Sequence, residues 1–256
     1  MPTDKRPPST GGVNGWSPDS GPGLETTTRL LETSEYTVIG RLPWSSNLTF
    51  LTSVDGDGSD PLHAVYKPAQ GEQSLWDFPD GLYRREVAAF ALSEALGWGI
   101  VPPTVARSDG PFGEGSLQLF VEADYHQHYF TLFDEGGHVD ALQTMCAFDI
   151  VANNADRKSG HVLEGTGNRL WAIDHGLCFH HQPKLRTVIW DFADEEVPAS
   201  ILGDLERLVP HLPDELGRLL TDREQEALVD RVRRIIESGV FPEPLGDRPP
   251  YPWPLV

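Results

Sequence analysis

Residues 148–176 read FDIVANNADRKSGHVLEGTGNRLWAIDHG, and the reading of this stretch decides the fold. Two carboxylates, Asp156 and Asp174, flank a hairpin-like segment, with Arg157, Lys158 and His161 beside the first. That layout suits phosphoryl transfer, in which one Asp positions an attacking hydroxyl and the other holds a divalent metal on nucleotide phosphates. Immediately upstream, residues 139–153 are apolar nearly all round (Leu142, Met145, Cys146, Phe148, Ile150, Val151), which predicts a buried helix leading into the loop.

Working outward, the N-terminal side supplies the partners such a site needs. Residues 36–42 and 48–54 are β-prone runs joined by Pro-Trp-Ser-Ser-Asn, a hairpin whose tip offers Ser45 and Ser46 as hydroxyl and N–H donors for phosphate. Asp55 to Asp60 has the acidic spacing of a calcium loop but lacks its glycine and its closing glutamate, so it reads as a turn. The next strand, LHAVYK at 62–67, places Val65 and Lys67 on one face and Ala64 and Tyr66 on the other. A lysine among apolar neighbours needs a partner or a ligand. Glu86 is the candidate partner, in the first turn of a helix over 83–96 that is closed by Gly97. An aromatic, acidic connection at 71–81 precedes that helix, and strands at 101–106 and 117–121 follow it.

Residues 122–137, rich in His and Tyr, read as a loop with no zinc-site spacing. Beyond Gly176, residues 179–190 are irregular, and helices are expected at 213–220 and 221–238. The second opens with the capping box Thr221…Glu224 and buries Leu228, Val232, Ile235 and Ile236. Four segments result: a disordered tail over 1–28, a sheet-rich lobe over 29–123, a helical lobe over 124–240 and a Pro-rich surface tail over 241–256.

Composition narrows the partners. The net charge of −19 and pI of about 4.7 leave no basic field for nucleic acid and disfavour an anionic membrane face. Without an apolar run of membrane-spanning length, integral membrane association is not expected, and with no signal peptide read at the start a cytoplasmic protein is expected. Cys146 and Cys178 read as reduced, buried thiols.

The order of parts is a hairpin with a small-residue tip, a strand Lys, a helix Glu, more sheet, a buried helix, a catalytic-type loop and a strand ending in Asp-His-Gly. It predicts an α+β, two-lobed protein-kinase-like fold with a small antiparallel N-lobe carrying one helix and a mainly helical C-lobe. Within that fold VYKP (65–68), LWDFPDG (75–81), REVAAF (85–90), NNADRKSGH (153–161) and AIDHG (172–176) carry a resemblance. The chain resembles the phosphatidylinositol 3- and 4-kinase-related family, in its uncharacterised actinobacterial branch, and more distantly the HipA-type kinases.

The resemblance implies ATP with Mg²⁺ or Mn²⁺ as cofactors and a protein or small-molecule hydroxyl as acceptor. Lys67 would contact the α- and β-phosphates and pair with Glu86. Val65 would pack on adenine, and the backbone of Phe120, Val121 and Glu122 would form the hinge. Asp156 would take the catalytic position and Asp174 would ligate the metal; Arg157 and Lys158 would neutralise transferred phosphate charge, or Arg157 would simply hold the loop in place. His161 stands where the family carries a metal-binding Asn. Imidazole prefers softer ions than Mg²⁺, so the position implies a single-metal site, a Mn²⁺ preference, a different contact or a weakened enzyme. The alternatives to protein or small-molecule phosphorylation are a nucleotide-binding pseudokinase, AMP transfer, and lipid phosphorylation.

Overall fold

The computed structural model describes residues 23–43, 47–244, 246 and 249–255. Two compact units emerge, one comprising Met1–Tyr83 with Pro103–Glu122, the other Arg84–Pro102 with Ala123–Val256.

The first unit is built on a five-stranded antiparallel sheet in the order β1-β2-β3-β5-β4. Its strands are β1 (Tyr36–Arg41), β2 (Phe50–Gly56), β3 (Ser59–Pro68), β4 (Thr104–Gly110) and β5 (Gly113–Leu119). Period-two alternation works as expected on β3: Ala64 and Tyr66 are wholly buried, whereas Val65 and Lys67 lie half-buried on the opposite face. The turn after β2 takes left-handed backbone at Asp57 and Gly58, as a tight hairpin requires. The phosphate-loop candidates Ser45 and Ser46 lie outside the described residues.

Helix α1 (Leu24–Thr33) begins upstream of the boundary expected at residue 28, while residues 1–22 of that tail lie outside the described residues. Three consecutive threonines hide it, because β-branched residues are poor helix formers. Tertiary contact decides instead: Thr27, Leu30 and Leu31 are buried, and Arg107 on β4 donates to the carbonyls of Leu31 at 2.6 Å and Ser34 at 3.0 Å. Arg107 is itself forked onto Asp109 by two bonds of 2.8 Å, which hold the Asp109 carboxyl below its ordinary range.

The connection at 71–81 has a structural role that was not read from the sequence. Glu72 accepts the N–H groups of Gly81, Leu82 and Tyr83 at 3.0, 2.9 and 2.7 Å, satisfying the start of α2 (Leu82–Ala95). Phe78 is buried and Trp76 is 96% exposed. Replacing Glu72 by Ala is expected to cost about 1–2 kcal/mol, the range of a lost helix cap. Denaturant unfolding followed by helical circular dichroism would show it, and an unchanged midpoint would deny Glu72 this role.

From Arg84 onward α2 belongs to the second unit, where Ala88, Ala89, Phe90, Ala91 and Leu92 join the core. Around it stand α3 (Tyr129–Glu135), α4 (Val139–Ala152), the hairpin β6 (Val162–Glu164) and β7 (Leu170–Ala172), α5 (Ala199–Leu208), α6 (Asp214–Leu219) and α7 (Asp222–Ser238). Helix α3 replaces part of the loop expected at 122–137. Its cap is a reciprocal His128–Thr131 pair in place of the usual Ser/Thr–Glu signature, and Tyr129 is buried with its hydroxyl 2.6 Å from Asp191. Helix α5 is a further addition, set by Ile201, Leu205 and Leu208 on one face.

The Pro-rich tail is fastened along its described part. Pro250 O accepts Thr187 N and Trp190 Nε1 at 3.1 and 3.0 Å, and Leu255 O accepts Ser159 N at 2.8 Å. Among the described residues no helix is long and apolar enough to cross a membrane.

Candidate active site

The expected residues fall on both units. In the first, Val65 and Lys67 lie on β3 opposite Gln118 and Ser116 of β5. The segment 120–122 continues from β5, half-buried, with Phe120 N donating to His63 O at 2.9 Å. In the second unit the chain brings together Glu86, Asp156, Arg157, His161 and Asp174.

The focus of that second group is a residue the sequence reading passed over. Asp149, in the last turns of the apolar helix α4, is fully buried, and its carboxylate is served from three sides. Arg157 donates through Nε at 3.1 Å to each oxygen and through Nη2 at 2.9 Å to Oδ1, Asn154 Nδ2 at 2.9 Å to Oδ1, and Thr187 Oγ1 at 2.9 Å to Oδ2. A charge in such a place persists only when paired and fully hydrogen-bonded. The signal in the sequence was there: one Asp inside the otherwise apolar run Met145–Ala152 of the helix.

Arg157 is equally buried and has further partners. Nη1 donates to Ile173 O at 2.8 Å, immediately before Asp174, and to His161 O at 3.3 Å. Nη2 lies 2.7 Å from His175 Nε2. A guanidinium has no acceptor, so His175 Nε2 accepts and the imidazole is neutral with its proton on Nδ1. His175 also packs edge-on against Phe148, and its backbone N–H reaches the Glu86 carboxylate at 2.9 Å. Helix α2 and the loop after β7 are therefore tied through Glu86, while the loop 153–161 is tied to α4 through Asp149.

The residue before Glu86 adds a second anchor for α2. Arg85 donates Nη1 to Cys178 O at 2.6 Å and Nη2 to Glu224 Oε1 at 2.5 Å, both side chains being buried. Glu224 closes the capping box at the start of α7, its Oε2 accepting Thr221 N and Oγ1.

The two candidate reactive carboxylates are less enclosed. Asp156 receives the backbone order of the loop through its N–H to Asn154 Oδ1 at 3.0 Å, and Lys158 Nζ lies 2.9 Å from its Oδ2. Burial pushes its carboxyl above the ordinary Asp range, against the bond and charge of Lys158. Asp174 adopts a left-handed φ of 63° and its side chain is 48% exposed, with His161 Nε2 at 3.3 Å from Oδ2. Non-glycine residues in that region mark sites where the surroundings impose the conformation. Burial pushes the Cys146 and Cys178 thiols well up, so both stay protonated and inert as nucleophiles.

Among the described residues no cluster of three or more His, Cys, Asp or Glu side chains is arranged for a metal ion. The available donors are carboxylate oxygens, which suit Mg²⁺ or Mn²⁺ held by one or two carboxylates plus substrate phosphates.

No protein-family model matches the chain. It is 37% identical over 263 residues to Protein Rv2133c of Mycobacterium tuberculosis, an alignment that covers 88% of this chain and 94% of that protein. Among solved structures it is similar to the Golgi casein kinase with Mn/ADP bound, at a TM-score of 0.53 and 15% identity over 91% of this chain and 80% of that one. It is similar also to hydra Fam20 with sugar, at 0.52 and 15% over 84% and 88%. At these identities the likeness fixes the fold: an α+β, two-lobed kinase-like fold, as the order of motifs implies.

Proposed function

Since the chain belongs to the family of Mycobacterium tuberculosis Rv2133c and carries a kinase-like fold, we propose that it is a phosphotransferase that moves the γ-phosphate of ATP to a hydroxyl. The observation that carries this reading is the buried Asp149–Arg157–His175 network. It spends an ion pair in the core to fix two loops, and each loop presents a more accessible carboxylate, Asp156 and Asp174.

Asp156 accepts the acceptor's proton as its oxygen bonds to the γ-phosphorus and the bond to the ADP oxygen breaks. Lys158, 2.9 Å away, opposes the rise that burial imposes on the Asp156 carboxyl. Asp174 would hold a divalent cation, which supplies charge neutralisation on the phosphates. Lys67 adds positive charge to the α- and β-phosphates, Ser45 and Ser46 donate to phosphate oxygens, Val65 packs on adenine and residues 120–122 present hinge backbone. Glu86 and Arg157 act as positioning residues, through His175 N–H and through Asp149. The chain is read as cytoplasmic and as acting on a protein or small-molecule hydroxyl. Kinship with the phosphatidylinositol 3- and 4-kinase-related proteins belongs to the same reading.

His161 is assigned to Asp174, not to the metal. Its Nδ1 accepts Lys158 N–H at 3.4 Å, so the neutral ring carries its proton on Nε2, the atom that faces the carboxylate. A protonated nitrogen cannot ligate, but it orients a ligand that does. His161→Leu is expected to raise the Mg²⁺ or Mn²⁺ concentration for half-maximal turnover about 10-fold or more. His161→Gln, which keeps a donor, should recover part of that loss, and identical metal titrations for all three proteins would remove His161 from the site.

The reading is tested by incubating the chain with ATP labelled on the γ-phosphate and Mg²⁺ or Mn²⁺, and measuring ADP release and label transfer. Intact-mass analysis separates phosphate from AMP addition. A melting shift with nucleotide but no turnover would turn the reading to a pseudokinase.

A further inference from the structure

On the second unit, beside the catalytic loop, lies a cavity of about 610 Å³ whose chemistry is opposite to that of the chain as a whole. In a protein of net charge −19, its wall carries among the described residues Lys184, Arg186, Arg231 and Arg234 against the two carboxylates Asp230 and Glu243. The size is that of a small-molecule pocket. We propose that this cavity binds a small phosphorylated compound with a free hydroxyl, and that this compound is the acceptor of the phosphotransferase reaction; the second half of the proposal rests on the reading of Asp156 given above.

Three observations support it. Arg231 and Arg234, one turn apart on α7, both line the cavity, and two neighbouring guanidinium groups repel unless an anion lies between them. Arg231 is also incompletely satisfied. Its Nε donates to Val151 O at 2.7 Å and its Nη1 to His180 O at 3.4 Å, but its Nη2 is buried with no hydrogen-bond partner among the described residues. A buried guanidinium left without full compensation is costly, and an anion in the cavity beside it would supply the missing countercharge. Burial, with Arg234 adding to it, pushes the Arg231 guanidinium down to about 10, which an anionic ligand would reverse.

The cavity also touches the reactive loop through its backbone. Asn153 lines it, three residues before Asp156. Arg186 lines it as well, its N–H donating to Asn154 O at 2.9 Å and its carbonyl accepting Arg157 N–H at 3.1 Å, and its charge acts on Asp156. An acceptor anchored by its phosphate among these cations would have its hydroxyl carried toward Asp156. That hydroxyl oxygen then bonds to the γ-phosphorus, the bond to ADP breaks, and the proton passes to the Asp156 carboxylate. The apolar side of the cavity, Trp190 with Pro250, suits the carbon skeleton, and the Trp190 ring is fixed by its Nε1 bond to Pro250 O. The C-terminal prolines thus form a wall of the cavity, which gives the fastened tail a purpose.

Calorimetry on the full chain without nucleotide tests the binding, using ribose 5-phosphate, glycerol 3-phosphate and inorganic phosphate, with ribose and glycerol as controls. At least one phosphate ester is expected to bind at least ten times more tightly than its unphosphorylated counterpart, and more weakly as salt is raised. Arg231→Met also removes the tie to Val151, so the informative variant is Arg234→Glu at an exposed position, expected to weaken binding at least 10-fold with circular dichroism unchanged. No ester binding, binding of inorganic phosphate alone, or ester binding indifferent to Arg234→Glu would overturn the site. ADP release stimulated by the bound ester, and lost in Arg234→Glu, supports the acceptor role. Tight ester binding that leaves a measurable basal ATP turnover unchanged overturns that role alone. Absence of any ATP turnover defeats the phosphotransferase reading and the acceptor role with it, leaving the calorimetric result to decide the site.

Discussion

Replacing Arg157 by Leu is expected to destabilise the second unit by about 3–5 kcal/mol, the range found when one partner of a buried ion pair is removed. The reason lies in what remains. Asp149 is fully buried and would keep only Asn154 Nδ2 and Thr187 Oγ1, with no countercharge. The loss would extend beyond Asp149: Ile173 O, His161 O and His175 Nε2 all receive Arg157 N–H groups, so each loop loses one of its tethers. Arg157→Lys should recover only part of the stability, because one ammonium cannot span these acceptors as a planar fork does. The pair substitution Asp149→Leu with Arg157→Leu should be less damaging than Arg157→Leu alone, because it removes the uncompensated charge. Denaturant unfolding with hydrogen exchange at the loop amides reads the effect on this unit separately from the sheet unit. A loss under about 1 kcal/mol for Arg157→Leu would mean that the pair is not what fixes the loops.

The network explains why the fold was more legible than the site. Period-two alternation on β3, the apolar surround of α4 and the capping box of α7 each report on burial that is local in sequence, and the structure shows all three. Where the deciding partner is distant, pattern reading fails. Helix α1 depends on Arg107, more than seventy residues on, and α3 on a His–Thr cap that no propensity scale favours. Glu72 looks like a loop charge until Gly81, Leu82 and Tyr83 turn their N–H groups to it. In the site the same division holds. Asp156 and Asp174 are visible as candidates because carboxylates in loops of this pattern are recognisable, whereas Asp149 lies among buried apolar residues of α4 and reveals its role only through Arg157. In the sequence Arg157 can be read as a phosphate ligand or as a loop anchor, and its guanidinium, enclosed by protein acceptors, favours the anchor. The cation-lined cavity was hidden for the same reason: Lys184 and Arg186 are 45 to 50 residues from Arg231 and Arg234, in a chain whose overall charge points the other way.

Asp156→Asn and Asp174→Asn are each expected to lower phosphate transfer by about 10²–10⁴-fold, and for different reasons that separate measurements can distinguish. Asn at 156 is nearly isosteric and keeps the backbone N–H bond to Asn154, so the loop should stand, but an amide cannot take the acceptor's proton. Nucleotide with metal should still raise the melting temperature of this variant. At 174 the choice of Asn matters more, because the backbone there is left-handed at φ 63° and Asn tolerates that region better than Ala does. The substitution removes the metal-binding charge without adding strain, so both turnover and the metal-dependent part of the melting shift should fall. Acidity gives a third readout. The Asp156 carboxyl is raised by burial and, in the proposed mechanism, must be ionised to take the proton, so turnover is expected to be lost as pH falls through that raised value. Lys158→Met removes the main interaction opposing the rise, and should move the acid limb to higher pH while leaving the alkaline side unchanged. Full transfer activity in Asp156→Asn would exclude a base at that position, and unaltered metal dependence in Asp174→Asn would place the cation elsewhere. An acid limb unmoved in Lys158→Met would assign it to a group other than Asp156.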